Sequence, residues 1–443
     1  MGRRMIVVGG GAGGASAAAK AKRVDPSLDV QMFEGGPHVS FAACPTPYYI
    51  ADVIKDPSRI IARTPEQFEK SGVHVHVHNP IEELDMNNGH VRDAKGRKWP
   101  FDVLVYATGA SPFLPSIPGI DSDGVFTLKN LQDAMNIKNF LEEKKARSAV
   151  ILGAGFIAME MAEAFRERGL ETTVLYRGEL PVKQMGPNVS KIILEELEKH
   201  GVRFVTGAEP TAILQENGGL IVETGQGRFT ADIVLAGLGI RPNTRLAQSV
   251  GIRLGDAHGV LTNGSLLTNL ENVYSAGDCT EVFHLVSQRP AFLPLGDTAN
   301  KQGRIAGSNI GGEPAVFPGV VGSWCFKVFD LEVAATGLNE SQARKAGFHP
   351  VSAFVKVGSR ADSYPGGMPI HLQIQAERST GKLLGAQIVG HEGAVTRADI
   401  VAVCLHAGMS LENLAFMDLC YAPPYSPVWD ALHIAAQECM KKI

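Results

Sequence analysis

The chain has 443 residues, enough for two or three domains that each bury a core. Apolar residues at 44%, charged residues at 20% and a net charge of −4 describe an ordinary globular enzyme and give no electrostatic case for nucleic acid. No apolar run reaches the ~18 residues that would cross a bilayer, so no membrane span is expected.

Met5 to Val8 predicts a short strand running into Gly9-Gly10-Gly11-Ala12-Gly13-Gly14. Its apolar core is too short for a secretory signal, which places the chain in the cytoplasm. An Ala-rich helix to about Arg23 and a strand from Leu28 to Phe33, ending in Glu34, complete a βαβ unit. Val73 to His78 alternates Val and His and predicts a strand with one polar face. Asn87-Asn88-Gly89 marks a turn, and Asp102 to Tyr106 a strand that closes on Ala107-Thr108-Gly109. A charged helix from Leu131 to about Arg147 precedes a second unit of the same kind. It comprises a strand from Ala149 to Leu152, the loop Gly153-Ala154-Gly155, a helix from Phe156 to Arg168 and a strand from Thr172 to Tyr176. Ala231 to Ala236 and Gly237-Leu238-Gly239 echo the earlier strand and its glycine turn, so the architecture is duplicated. From about Gly322 strands and helices mix without phosphate loops, which predicts a third domain.

Two loops carry dinucleotide chemistry. Gly9-x-Gly11-x-x-Gly14 lies between strand and helix, where backbone N–H groups meet a pyrophosphate. Glu34, twenty residues beyond, ends the next strand, where a carboxylate accepts from ribose hydroxyls. The second loop is Gly153-x-Gly155-x-x-Ala158, with alanine in the packing position. Tyr176 stands where Glu34 stands in the first unit, and Arg177 follows; losing the acid and gaining a guanidinium points to NADPH over NADH. Tyr274-Ser275-Ala276-Gly277-Asp278 offers a further carboxylate at a strand end. The cysteines at 44, 279, 325, 404, 420 and 439 form no CxxC pair and no metal-ligand spacing, so neither a disulfide framework nor a metal is expected.

The order GGGAGG…E, ATGASP, GAGFIAME, GLGIRPNT and YSAGDC resembles the pyridine nucleotide–disulfide oxidoreductases over the whole chain. Ser40-Phe41-Ala42-Ala43-Cys44-Pro45-Thr46-Pro47-Tyr48-Tyr49 is similar to the single-cysteine motif of coenzyme A–disulfide reductases and NADH oxidases, and Tyr421-Ala422-Pro423-Pro424-Tyr425-Ser426 to their C-terminal motif. The resemblance implies an α/β protein with two Rossmann-like domains, one for FAD (residues 1–115 and 250–321) and one for NAD(P)H (116–249), plus a C-terminal α+β dimerisation domain (322–443). It implies a homodimer in which Tyr421 and Tyr425 of one subunit complete the other's site. It puts Thr108 and Gly109 near the FAD phosphates, Asp278 at the ribityl chain and Glu160 near the nicotinamide–flavin stack. Members that bind coenzyme A hold its phosphates with basic residues near the first helix and loop, for which Arg23, Arg63 and Lys70, with Ser40, are the candidates.

Three departures stand out. Paired-cysteine members have CxxxxC, but Tyr49 occupies the second position. Their His-x-x-x-x-Glu element is echoed by His433 to Glu438, read here as helix-surface residues. Where relatives carry two tyrosines before Pro-Gly, this chain has Ser363-Tyr364, leaving Tyr364 as the one candidate proton donor of that loop. No rhodanese-like extension follows residue 443, so the sulfur-transfer domain of some persulfide-reducing relatives is not expected.

Cys44 precedes Pro45 and an apolar helical stretch, so a helix N-terminus is expected to stabilise its thiolate. The expected activity is NADPH-driven reduction of coenzyme A disulfide, persulfide or polysulfide through a mixed disulfide on Cys44. The alternatives are an NADH oxidase cycling Cys44 through a sulfenic acid and a flavoprotein that binds a partner protein in a redox-dependent way.

Overall fold

The computed structural model describes residues 2–216 and 218–443, and its two halves repeat one strand order. The first sheet is fully parallel: 273–275, 103–106, 4–8, 29–33, 73–76. The second runs 125–126, 233–236, 148–152, 171–176, 203–206, also fully parallel. Strands buried on both faces read as unbroken apolar runs; Met5–Val8 and Ala149–Leu152 are at most 4% exposed. Ala231 falls outside its expected strand, which begins at Ile233, and closes a hairpin instead. The Val73 strand stops at His76, two residues early; His78 then adopts a left-handed conformation (φ 51°).

Each half also carries a three-stranded antiparallel meander, Ile81–Asp85/His90–Asp93/Lys98–Pro100 in the first and Pro210–Glu216/Gly219–Thr224/Gly227–Ala231 in the second. Each meander immediately precedes a parallel strand that ends in a glycine turn (103–106 and 233–236), so the duplication extends beyond the βαβ units.

The helix Gly296–Gly311 packs along Ala12–Val24. Gly303 and Gly307 permit this approach: a Cβ on them would lie 2.1 Å from the Gly13 carbonyl oxygen and 2.5 Å from that of Ala17. The same closeness seats the Tyr274–Asp278 turn on the first glycine loop, with Gly13 against Ala276.

The C-terminal sheet is antiparallel, ordered 324–328, 331–337, 383–390, 369–377, 350–358. One face carries the helices Ala394–His406 and Ala431–Met440. The other meets the helix Pro187–Lys199 of the second half. Buried carboxylates from two helices of the second half, Phe156–Glu167 and Pro187–Lys199, fasten the C-terminal domain. Glu163 accepts from Phe329 N (2.7 Å) and pairs with Lys327, and Glu196 accepts from Asp330 N (3.2 Å).

Candidate active site

One continuous cavity of about 1930 Å³ reaches from the first glycine loop to the second, with the strand Trp324–Val328 forming a third wall. The two loops are built alike. Gly9 has φ 108°, and a Cβ there would sit 2.1 Å from the Ala107 oxygen; Gly153 has φ 100° and faces the Gly237 oxygen at 2.5 Å. Only glycine adopts that conformation at so short a backbone distance. Gly11 and Gly155 border the cavity with open space where a Cβ would be. Gly14 presses on the Gly9 oxygen (1.9 Å for a Cβ), whereas Ala158 is wholly buried against Gly237. The helices that start at Ala12 and Phe156 have no side-chain cap and no acid in their first turns. Their N-terminal amides therefore face the cavity, a setting suited to a phosphate. On these grounds the residues fit two dinucleotides.

The Glu34 carboxylate accepts from Gly10 N and Gly36 N, both at 2.8 Å, so it shapes its own loop and keeps a lone pair on each oxygen for a ribose. Thr108 and Gly109 are clamped by Asn243, which donates to Thr108 O (2.9 Å) and whose own carbonyl accepts from Thr108 Oγ1 (2.6 Å). Asp278 accepts from Lys129 Nζ at 2.7 Å, and both line the cavity. Tyr176 and Arg177 also line it; Arg177 is 74% exposed and 3.8 Å from Glu209, a pairing too loose and wet to hold the guanidinium.

Cys44 opens onto the same cavity and is exposed to it. The expected dipole-stabilised thiolate is not what the protein provides. The helix after Cys44 is a single turn, Thr46–Ile50, capped by no side chain. Surrounding protein displaces water and pushes the Cys44 thiol up, and the negative charge of Glu160 pushes it further; Lys129 pulls it partly back. Burial and the neighbouring Glu163 charge raise Glu160 itself to about 7, with a hydrogen bond from Tyr48 opposing them. Burial and Glu160 raise Tyr48 to about 12, so its hydroxyl remains a donor at neutral pH. Tyr49, in the position of a second cysteine, is 7% exposed beneath the Lys138 ammonium (4.4 Å) and is a core residue.

Other expected residues lie elsewhere. Of the coenzyme A candidates only Ser40 lines the cavity; Arg23 and Lys70 are exposed beyond it, and Arg63 stacks on Phe68 at 4.7 Å beside the lining residue Ala62. Tyr364, Tyr421 and Tyr425 are 40%, 50% and 78% exposed and none borders the cavity of its own chain. Their loops are joined by a hydrogen bond from Ala361 N to Pro423 O (3.2 Å). His433 is not a helix-surface residue: it is 7% exposed, its Nδ1 accepts from Asp430 N and its Nε2 is bound at Met417 O, so both nitrogens are spent on structure. Glu438 is an exposed partner of Lys441. Among the described residues, metal-ligating atoms gather once, at Glu196, His200 and Asp330, where Lys199 already bridges the carboxylates.

Lys129, Asn243 and Tyr48 were not singled out in the sequence. Asn243 and Tyr48 lie inside quoted motifs, but Lys129 carries no local signal; only the fold brings it to Asp278.

Comparison with known proteins agrees with this geometry. Residues 3–302 match the pyridine nucleotide-disulphide oxidoreductase family, and residues 324–432 match its dimerisation domain. The chain is 38% identical over 440 residues to the NAD(P)H coenzyme A polysulfide/persulfide reductase of Pyrococcus horikoshii, covering 99% of this chain and 98% of that one. It is 31% identical over 446 residues to an NADH oxidase of Methanocaldococcus jannaschii, with 99% of each covered. The solved structure of an NAD-dependent persulfide reductase from A. fulgidus superposes with TM-score 0.96 at 33% identity, over 99% of this chain and 83% of that one. The duplicated nucleotide fold, with Cys44 opening onto the cavity between its two loops, and the C-terminal sheet are thus those of a family, and this chain belongs to the pyridine nucleotide-disulphide oxidoreductases.

Proposed function

We propose that the protein is a reductase of coenzyme A disulfide, coenzyme A persulfide or polysulfide that works through Cys44. One observation carries the reading: Cys44 opens onto the same cavity as both dinucleotide loops. The family is FAD-dependent and uses NAD(P)H. In this chain Gly9, Gly11, Gly14, Glu34, Thr108, Gly109 and Asp278 would hold FAD, and Gly153, Gly155, Ala158, Tyr176 and Arg177 NADPH, with Glu160 between them. FAD, when bound, supplies the passage of two electrons from the nicotinamide to sulfur.

The protein's own part is thiol exchange. The Cys44 thiolate attacks one sulfur of the substrate disulfide R–S–S–R; a Cys44–S–S–R bond forms, the substrate S–S bond breaks, and RS⁻ leaves. Tyr421 or Tyr425 of a second subunit protonates the leaving thiolate, with Tyr364 beside them. Ser40, Arg23, Arg63 and Lys70 would face the coenzyme A moiety, Arg63 from the rim at Ala62. We divide the chain at 1–115 with 250–321, 116–249 and 322–443, a reading supported by the three five-stranded sheets, one in each part. A two-stranded sheet of 110–112 with 240–242 crosses the first boundary. The six free cysteines fit the reducing cytoplasm. Arg177, held by no close partner, would read the 2′-phosphate. Arg177→Ala should weaken NADPH by about 1–3 kcal/mol and leave NADH unchanged; equal losses would remove the assignment.

The relative named NADH oxidase favours a second reading, in which oxygen is the acceptor and Cys44 passes through a sulfenic acid. NADPH-driven thiol release from coenzyme A disulfide, measured beside oxygen uptake, separates the two. Thiol release with little oxygen uptake supports the reductase; rapid oxygen uptake without thiol release rejects it.

A further inference from the structure

The chain leaves the first dinucleotide part and later returns to it along two short strands that pair with each other. Ala110–Pro112 leads out and Ile240–Pro242 leads back, antiparallel, with Ile240 opposite Pro112, Arg241 opposite Ser111 and Pro242 opposite Ala110. Backbone bonds extend this ribbon at both ends, from Phe113 N to Gly239 O (2.8 Å) and from Asn243 N to Gly109 O (2.9 Å). One end is therefore continuous with Thr108-Gly109 and the other with the turn Gly237-Leu238-Gly239 of the second part, and both segments border the cavity. A two-stranded ribbon on its own is marginal in water. The proline in each strand, Pro112 and Pro242, fixes a φ angle but removes a ladder donor. Side chains supply the remaining hold. At the Gly239 end the Arg241 guanidinium lies 4.2 Å over the Phe113 ring. At the Gly109 end every polar atom of Asn243 is engaged by residues 106–111. Nδ2 donates to Thr108 O (2.9 Å), Oδ1 accepts from Ser111 Oγ (2.8 Å), and the carbonyl accepts from the Tyr106 hydroxyl (2.7 Å) and Thr108 Oγ1 (2.6 Å).

We propose that Asn243 is a positioning residue for hydride transfer, which locks the ribbon to the Thr108-Gly109 loop and so sets how the two cofactor sites face each other. The inference rests on the reading that FAD and NADPH occupy the two halves of the cavity. Asn243 acts through other groups: through Thr108 and Gly109 on one side, and along the ribbon through Gly237 to Gly239 on the other. Ion pairs also join the two parts, at Asp52 with Lys138 and Arg168 and at Lys129 with Asp278. None of those residues belongs to the ribbon or to the segments at its ends, and partly exposed ion pairs are individually weak. Transfer between two bound cofactors depends on their alignment, and a misplacement of about 1 Å can cost about a hundredfold in rate. A lock on the ribbon thus bears on the rate of flavin reduction more than on the affinity for either cofactor, because the loops that bind them stay whole.

The test compares FAD-loaded wild type with Asn243→Ala and with the isosteric Asn243→Asp, which lacks the donation to Thr108 O and decides the matter if Asn243→Ala does not fold. In anaerobic stopped flow with NADPH, the limiting rate of flavin bleaching should fall roughly ten- to a hundredfold, with FAD content and the NADPH half-saturation unchanged. Hydrogen–deuterium exchange of the same holoenzyme should quicken in peptides covering 106–113 and 239–243 and stay as in wild type across both parallel sheets. Ser111→Cys with Arg241→Cys, added to Asn243→Ala, places two thiols on directly opposed residues, a separation that a disulfide spans. The oxidised form should regain most of the lost rate, and reducing that bond should remove the gain. A bleaching rate that the formed bond leaves unchanged overturns the positioning role. So do variants that lose FAD or melt early yet bleach at the wild-type rate in their loaded fraction, since Asn243 would then serve the fold alone. A wild type whose flavin NADPH does not bleach overturns the cofactor reading, and this inference with it.

Discussion

Glu160 is held where its charge is opposed from two sides, by burial and by the Glu163 carboxylate three residues on. Together they push its carboxyl up to about 7, well above the usual carboxylate range. Ionising it therefore costs folding energy. The protein keeps its full stability below the unfolded value, and loses this contribution as pH rises through 7. Glu160→Gln removes the titration while keeping the shape. The variant should match wild type near pH 4 and exceed it in urea unfolding at about pH 8.5, by at most about 3 kcal/mol. A gap that stays constant across that range would mean another group titrates. Cys44 shows where local sequence reasoning stops. The helix-forming run after Pro45 was legible, but its length was not, because the chain turns at Asp52, which has φ 64° and is paired with Lys138 and Arg168. Those partners come from other helices, so the thiol's surroundings are a tertiary property.

At the scale of elements, the glycine loops were legible because backbone crowding leaves no alternative at Gly9 and Gly153. The meanders were less visible: Ile81–Asp85 buries only two of its five residues, and its alternation is broken by a shift between Ile81 and Glu83. The contact of Gly296–Gly311 with Ala12–Val24 was not anticipated either, since small residues at four-residue spacing announce close packing but not the partner. That contact sets the first glycine loop against the Asp278 turn. Gly303→Val places a branched side chain where even a Cβ meets the Gly13 oxygen at 2.1 Å. It should cost about 3 kcal/mol or more and yield protein with reduced flavin content. Normal flavin content and an unchanged melting temperature would show that the two helices are not coupled to the cofactor site.

For the whole molecule, an exposed apolar surface lies between residues 416 and 429. Phe416, Tyr421, Tyr425, Val428 and Trp429 are each at least 50% exposed within the matched dimerisation domain or at its edge. Exposed apolar surface of this kind marks an interface. Val428→Glu should shift sedimentation from dimer to monomer and lower sulfur turnover while preserving flavin reduction by NADPH, because the partner tyrosines are removed and the cavity is not. A fully active monomer would show that one chain's cavity is complete in itself.

Cys44→Ser tests the central claim most directly. The variant should bind FAD, since none of the loop residues is altered, and NADPH should still bleach its flavin, because hydride transfer needs only the two cofactors aligned. Turnover of coenzyme A disulfide and polysulfide should collapse, since a serine hydroxyl is a far poorer nucleophile and forms no mixed disulfide. The long-wavelength charge-transfer absorption of a thiolate beside flavin, expected in the two-electron-reduced wild type, should be absent. If Cys44→Ser turned over sulfur substrates at the wild-type rate, electrons would be leaving the flavin without this cysteine, and the account would be contradicted.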